Sequence, residues 1–137
     1  MSSSIDTCFE ALARVQEVKQ LDHPCRVVVI VYSAWGLIEN GGFQYFFESN
    51  FPEEPPYEVF IQAFSSVGLT DIALRFSKLI SLFPFDEPHK FPRKRQEFIG
   101  LKPPSFIALM AELEDLVSAH ENIEKTLNLF LRMPEAN

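Results

Sequence analysis

A chain of 137 residues suits one domain with one core, and a hydrophobic fraction of 47% argues against disorder. The net charge of −7 at pH 7 disfavours direct binding to nucleic acid, because phosphate recognition needs a dominant basic field. The longest apolar stretch, residues 27–38, is too short for a membrane span of about 20 residues. Two cysteines are too few for a disulfide scaffold and lack metal-ligand spacing, so we expect a reducing, cytoplasmic environment.

The charged residues are segregated along the chain. Residues 27–74 contain six acidic residues and no lysine or arginine, whereas residues 75–102 contain seven basic and three acidic residues, a net charge of +4. The basic segment includes the only basic cluster, which consists of Lys90, Arg93, Lys94 and Arg95. We expect this cluster to face acidic helices of the same chain or to form a subunit contact.

The first predicted helix runs from Ser4 to Gln20, where apolar residues recur at helical spacing. Ser3, Ser4 or Asp6 would cap its amino end, because a side-chain oxygen at that position accepts a hydrogen bond from a free backbone amide.

The second predicted helix begins at Asp22-His23-Pro24, since an acidic residue followed by proline is typical of a helix start. The β-branched run from Val27 to Tyr32 is locally typical of a strand. However, the apolar character continues to Ile38, and start and stop signals enclose about 17 residues, which is too long for a typical strand. We therefore predict a buried central helix that ends at Asn40 or Gly41.

A glycine pair and a dense aromatic group follow the central helix. Phe43, Phe46 and Phe47 stand at positions i, i+3 and i+4, so we predict a short helix with one aromatic face. We also predict that Glu39 or Asn40 caps this short helix by facing its opening amide groups.

The remaining pattern predicts further helices and no internal repeat or linker, so we expect one all-α domain over residues 1–137 with about six to eight helices. We predict that Gly68 ends one helix, that Thr70-Asp71 caps the next, and that residues 84–104 are the least regular part. The predicted helices are Tyr57–Val67, Ile72–Phe83, a short one near Arg93–Ile99, one from Pro103 to about His120, and Ile123–Met133.

No catalytic constellation is visible in the sequence, so we expect no enzyme, no cofactor and no metal. His23, His89 and His120 are far apart and lack paired ligands, which is typical of histidines at surfaces or helix ends. The sequence has no nucleophile elbow, and the acidic flanks of Gly41-Gly42 would repel a phosphate group. Glu112 and Asp115 share a helix face that we expect to be solvated.

An acidic group without nearby basic residues is the strongest candidate for a binding surface. Its best-guess contacts are Glu48, Glu53, Glu54, Glu58 and Asp71. Such a group favours solubility, and it also fits an electronegative surface for a basic protein partner.

The segment Glu39-Asn40-Gly41-Gly42-Phe43, followed by Gln44-Tyr45-Phe46, resembles the signature of a bacterial family of small helical proteins, whose best-known branch is the DNA-mimic protein (DMP) type. The similarity extends over residues 20–85, although the family places a glutamine one residue further from the phenylalanine than Gln44. The resemblance implies an all-α fold and, for some members, an acidic surface that imitates DNA phosphates and occupies a DNA-binding protein, often as a homodimer.

These observations lead to one main hypothesis and two alternatives. The main hypothesis is a non-enzymatic interaction protein that offers its acidic surface to a basic partner, such as a DNA-binding regulator. In it, residues 39–43 form a structural corner. One alternative is a small enzyme or ligand-binding domain with an aromatic pocket; the other is an immunity-type inhibitor of a toxin. The pocket would be lined by Tyr32, Trp35, Phe43 and Tyr45.

Overall fold

A computed structural model describes residues 4–133, and within them the chain forms seven α-helices, two short 3-10 turns and no strand. This confirms the predicted all-α fold. The turns are Val18–Gln20 and Pro88–Lys90. The helices are α1 (Ile5–Val15), α2 (His23–Glu48), α3 (Tyr57–Ser66), α4 (Thr70–Ser81), α5 (Pro92–Gly100), α6 (Pro104–Ala119) and α7 (Ile123–Arg132).

Helix α2 is the centre of the fold, as its apolar sequence predicts. It packs against α1, α3, α5, α6 and α7, while α4 packs against α3 and α6. Val28, Val31 and Ala34 on α2 are completely buried, so the β-branched run lies in a helix in spite of its local preference for strand. Tertiary burial of an apolar helix outweighs a propensity difference of less than ~1 kcal/mol per residue. No helix within residues 4–133 has the length and apolar character needed to cross a membrane.

The ends of the helices confirm some of the predicted caps and correct others. The Ser4 hydroxyl accepts a hydrogen bond from the Thr7 amide at 3.2 Å, while Ser3 lies outside the described residues. Helix α1 ends at Val15, because Gln16 adopts a left-handed conformation with φ of 70°, so the prediction of one helix to Gln20 was wrong. Gly68 has φ of +89° and follows α3, as expected of a glycine stop.

The predicted cap of α4 by Thr70-Asp71 was also wrong. Leu69 occupies the capping position and provides no side-chain hydrogen bond, and Thr70 is the first residue of the helix. Asp71 therefore lies in the first turn, where its negative charge complements the helix dipole although Asp71 is not the capping residue.

The predicted aromatic face is the core of the second half of α2. Phe43, Phe46 and Phe47 are completely buried, and the rings of Phe43 and Phe46 meet Phe76 of α4 edge to face at 5.4 and 5.5 Å between centroids. Edge-to-face pairs contribute roughly 0.5–1.5 kcal/mol each beyond the area that they bury. Phe83 extends the group at 5.3 Å from Phe47. The aromatic cluster therefore attaches the end of α2 to α4.

Cys8 of α1 and Cys25 of α2 form a disulfide bond. The small number of cysteines had led us to expect a reducing environment, and the pairing removes the support that the cysteine count gave to it. The bond attaches the first helix to the start of the central one, and a cytoplasmic location stays a prediction.

Candidate functional site

The glycine pair interrupts α2 and forms a sharp corner between two helical segments. Gly41 has φ of −151° and ψ of 16°, and Gly42 has φ of 71° and ψ of −173°. The second combination belongs to a region of backbone space that only glycine occupies without strain. The helical conformation resumes at Phe43, so the prediction that the central helix ends at Asn40 or Gly41 was correct.

The amino end of the second segment is capped by Glu114 of α6. The Phe43 amide donates a hydrogen bond to the Glu114 Oε2 atom at 2.8 Å in a partly buried position. A Cβ atom on Gly42 would stand 2.5 Å from the same oxygen and would displace the carboxylate from its position at the Phe43 amide. Glu39 and Asn40 are both exposed, and the prediction that one of them caps this segment was wrong.

Two shallow depressions flank this corner, and both contain carboxylates. The larger has a volume of about 490 Å³ and is lined by Asn40, Gly41, Gln44, Tyr45 and Glu48. The second, of about 380 Å³, brings Glu39 and Glu114 together beside Gly42. The surface around the corner is therefore acidic on both sides.

The structure places the predicted acidic contacts on four different segments. Glu48 ends α2, Glu53 and Glu54 lie in the following loop, and Glu58 and Asp71 occupy the first turns of α3 and α4. All five are exposed. The Glu53 Oε2 atom accepts a hydrogen bond from the Val18 amide at 3.0 Å, which gives that residue a structural role. The five residues stay a predicted contact surface.

The basic cluster is not one surface patch. Arg95 is 1% exposed, and its guanidinium donates hydrogen bonds to the backbone carbonyls of Phe47, Pro88 and His89 at 2.8–3.1 Å. The prediction that the cluster has an intramolecular role is correct for Arg95, although its partners are carbonyl groups and not acidic helices.

The other members of the cluster remain on the surface. Lys90 pairs with Glu87 at 3.1 Å, and the Lys94 ammonium lies 4.7 Å from the centre of the Phe91 ring. Arg93 is exposed. Lys90 and Lys94 therefore each contact a side chain of the same segment.

The four aromatic residues of the alternative hypothesis do not line a common pocket. Trp35 and Phe43 belong to the closed core at 2% and 0% exposure, whereas Tyr45 is exposed. The Tyr32 hydroxyl donates to Glu124 at 3.4 Å, and burial together with that carboxylate raises the pKa of Tyr32. The proposed aromatic pocket is therefore contradicted.

The histidines are at helix ends or against other side chains. His23 begins α2, and His120 follows α6, with its Nε2 atom 2.8 Å from the Thr126 hydroxyl and its ring edge-on to Trp35. His89 lies in the second 3-10 turn. Within residues 4–133, no group of three or more potential ligands has the geometry to hold a metal ion.

The prediction that one face of α6 is exposed to solvent is confirmed, and one residue of that face forms an ion pair. Glu112 and Asp115 are both exposed, and the Glu112 carboxylate lies 2.6 Å from the Arg75 Nε atom of α4. Glu114, between them in sequence, points to the glycine corner. Sequence reasoning missed this residue because 71 positions separate it from Phe43.

The buried guanidinium of Arg95 and the phenol of Tyr57 line the same small cavity. A cavity of about 20 Å³, the size of one water molecule, is lined in part by Glu54, Tyr57, His89 and Arg95. Burial raises the pKa of Tyr57 to about 12, although the nearby Arg95 charge opposes this effect. The phenol is therefore neutral at physiological pH and acts as a structural group.

Comparison with known proteins identifies the family of the chain. A search of curated proteins and a search of solved structures returned no match. A family model described as DMP19-like protein matches residues 19–133, which is most of the chain and extends well beyond the glycine corner. The chain therefore belongs to the DMP19-like protein family.

Proposed function

We propose that this protein is a non-enzymatic interaction protein that offers an acidic surface to a basic protein partner. The single observation that carries the proposal is a set of exposed carboxylates that form no ion pair within residues 4–133 of a DMP19-like protein. Within residues 4–133 only three ion pairs form, and they join Lys19 to Glu17, Arg75 to Glu112 and Lys90 to Glu87. The predicted contacts Glu48, Glu54, Glu58 and Asp71 are in none of them.

Surface carboxylates that form no ion pair within their own chain are available to the lysine and arginine side chains of a partner protein. An exposed pair contributes only about 0–1 kcal/mol, so the lack of internal pairs costs the fold little. When a partner brings several lysine and arginine side chains, the summed field accelerates the encounter and stabilises the complex. We therefore expect the carboxylates to contribute more to the stability of a complex than to the stability of the isolated protein.

We further propose that the partner is a DNA-binding regulator and that the acidic surface acts as a DNA mimic. The lysine and arginine side chains that contact DNA phosphates would instead contact carboxylates. Burial of Arg95 supports this proposal, because it removes one positive charge from the surface that would repel the partner. The protein itself would not bind duplex DNA.

The Asn-Gly-Gly-Phe segment, residues 40–43, has a structural role in this proposal. Asn-Gly-Gly-Phe lets the chain turn sharply beside Glu114, and the aromatic residues after it fill the core. This segment would hold the end of α2 in place, while the proposed binding residues lie outside it.

The proposal is tested by an affinity pull-down from native lysate with the immobilised protein. One sample is eluted with salt and another with duplex DNA at low salt, and the released proteins are identified by mass spectrometry. We expect duplex DNA to release a basic DNA-binding protein, because protein and DNA compete for one surface. A partner that salt releases but DNA does not would contradict the mimic proposal and leave only an acidic interaction protein.

Matched variants separate the surface from total charge. Glu48, Glu54 and Glu58 are replaced by glutamine in one triple variant, which should lose the partner. The control triple variant, with the same loss of charge, carries glutamine at three exposed positions elsewhere, Glu10, Glu97 and Glu121. Equal retention of the partner by both variants would refute the role of this surface.

A further inference from the structure

An apolar groove lies between α2 and α3, and Glu53 is the one residue that it shares with the predicted acidic contact surface. Its volume is about 680 Å³, which lies in the range of roughly 300–1,000 Å³ typical of small-molecule sites. Leu12 of α1 and Phe51 and Pro52 of the loop before α3 contribute to its walls. Unlike the two depressions at the glycine corner, this groove is lined largely by apolar side chains.

The groove runs along the central helix. The α2 residues that line it extend from His23 to Leu37, a rise of about 21 Å at 1.5 Å per residue. Half-buried apolar residues, among them Ile30 and Val59, face it from both helices. A groove of this length and lining can accommodate an extended aliphatic chain along the α2 surface.

The basic side chains that line the groove are at the end where α2 begins. Lys19, His23 and Arg26 stand there, together with one carboxylate, Glu53. That carboxylate already accepts the hydrogen bond from the Val18 amide. One end of an apolar channel in an acidic protein therefore carries a concentration of basic groups.

Arg26 is the member of this group that is most available to a ligand. It is half-buried, and within residues 4–133 it has no carboxylate within 4.0 Å; its guanidinium makes a hydrogen bond of 3.4 Å to the Leu21 carbonyl. A guanidinium beside apolar walls interacts more strongly with an anion than one in open water, because screening is weaker there. Lys19 is more exposed and pairs with Glu17 at 3.4 Å.

We propose that this groove binds an amphipathic carboxylate with an unbranched aliphatic chain. The carboxylate would pair with Arg26, with Lys19 and His23 nearby, and the aliphatic chain would lie along Ile30 and Leu37 towards the far end of the groove. Each buried methylene group would contribute about 0.8 kcal/mol, so affinity rises with chain length until the groove is full.

The first test uses decanoate and decyltrimethylammonium, which share an aliphatic chain and differ in the charge of the head group. Both are titrated below their micelle concentrations by isothermal calorimetry. We expect decanoate to bind with one site per chain and the cation to bind at least tenfold more weakly. Equal affinities for the two would overturn the proposal, since binding would then be non-specific apolar adsorption.

Two pairs of variants locate the site. Ser33→Trp places a large ring in the groove from an exposed position of α2, and Ser77→Trp makes the same change at an exposed position of α4 outside it. We expect Ser33→Trp to abolish decanoate binding and Ser77→Trp to leave it unchanged. Arg26→Gln should weaken decanoate by about tenfold, the effect of losing one charge-assisted hydrogen bond, while Arg132→Gln should not.

Folding and assembly are checked on the same samples. Circular dichroism of each variant establishes that the helices are intact, so a loss of binding is not a loss of fold. Sedimentation of the wild-type protein and Ser33→Trp tests whether a second copy of the chain covers the groove. A dimer that Ser33→Trp dissociates, together with no decanoate binding, would overturn the proposal and assign the groove to self-association.

Discussion

Replacement of Gly42 by alanine should destabilise the protein, although the change adds a single methyl group. The backbone conformation at Gly42 costs a non-glycine residue roughly 1–3 kcal/mol. The added Cβ atom would also stand 2.5 Å from the Glu114 carboxylate and displace it, with the loss of a charge-assisted bond worth roughly 1.5–3 kcal/mol. Because the neighbours relax in part, we expect a total of about 3 kcal/mol.

The matched control is Gly36→Ala, six positions earlier in the same helix. A Cβ atom at Gly36 meets nothing within 4 Å, and alanine is favoured over glycine in a helix interior by about 0.5–1 kcal/mol. We therefore expect opposite signs for one substitution at two glycines of α2. Urea unfolding monitored by circular dichroism measures both, and the m-value shows whether the transition remains two-state.

A double-mutant cycle with Glu114→Ala tests the cause of the Gly42 effect. If the carboxylate accounts for part of the cost, Gly42→Ala should be less harmful when Glu114 is already absent, with a coupling of about 1–2 kcal/mol. A Gly42→Ala protein as stable as the wild type would refute the reasoning about the corner. Additivity in the cycle would refute the role of Glu114 and leave backbone strain as the sole cause.

Three further predictions concern the rest of the fold. Reduction of the Cys8–Cys25 bond, which closes a loop with a sequence separation of 17, should lower the unfolding free energy by about 3 kcal/mol, measured with and without reductant. Arg95→Met removes the guanidinium donor from three backbone carbonyls, of which, within residues 4–133, only that of Pro88 keeps another donor, the Phe91 amide. We expect a cost of about 3 kcal/mol in urea unfolding, against less than about 0.5 for exposed Arg93→Met. Since the pKa of Tyr57 is raised to about 12, its contribution to the free energy of unfolding is complete below pH 10 and is lost between pH 10 and 12. Tyr57→Phe should therefore reduce the fall of the unfolding free energy over this pH range.

Each of these has an outcome that would contradict it. An unchanged melting temperature after reduction would contradict the disulfide prediction. Equal effects of the two arginine substitutions would show that burial of Arg95 does not matter, and an identical alkaline limb in Tyr57→Phe would assign that limb to other groups.

Signals confined to neighbouring residues were enough to predict most helices. Ser4 caps the start of α1 with its side chain, and Pro24 restricts the backbone in the first turn of α2. Gly68 adopts the positive φ that follows the end of α3. The spacing of Phe43, Phe46 and Phe47 predicted a buried face for the same reason, since helical geometry is local. Periodicity and caps therefore predicted an all-α fold with a central helix.

Features that depend on distant residues could not be predicted. Glu114 caps Phe43 from another helix, while nearer candidates in sequence, Glu39 and Asn40, are exposed. Arg95 is in a run of basic residues that look alike in sequence, and only the packing of α5 on α2 buries it. The Cys8–Cys25 pair likewise depends on how α1 packs on α2. Tertiary packing selects one residue among several chemically equivalent ones in each case.

The most direct test of the proposed function is the salt dependence of binding to the captured DNA-binding protein. The dissociation constant is measured between 50 and 300 mM salt for the wild-type protein, for the variant lacking the charges of Glu48, Glu54 and Glu58, and for the control triple variant. We expect the wild type and the control to lose affinity steeply as salt rises, while the surface variant binds more weakly with a shallower slope. A slope that is the same for all three proteins would contradict the assignment of these carboxylates to the binding surface.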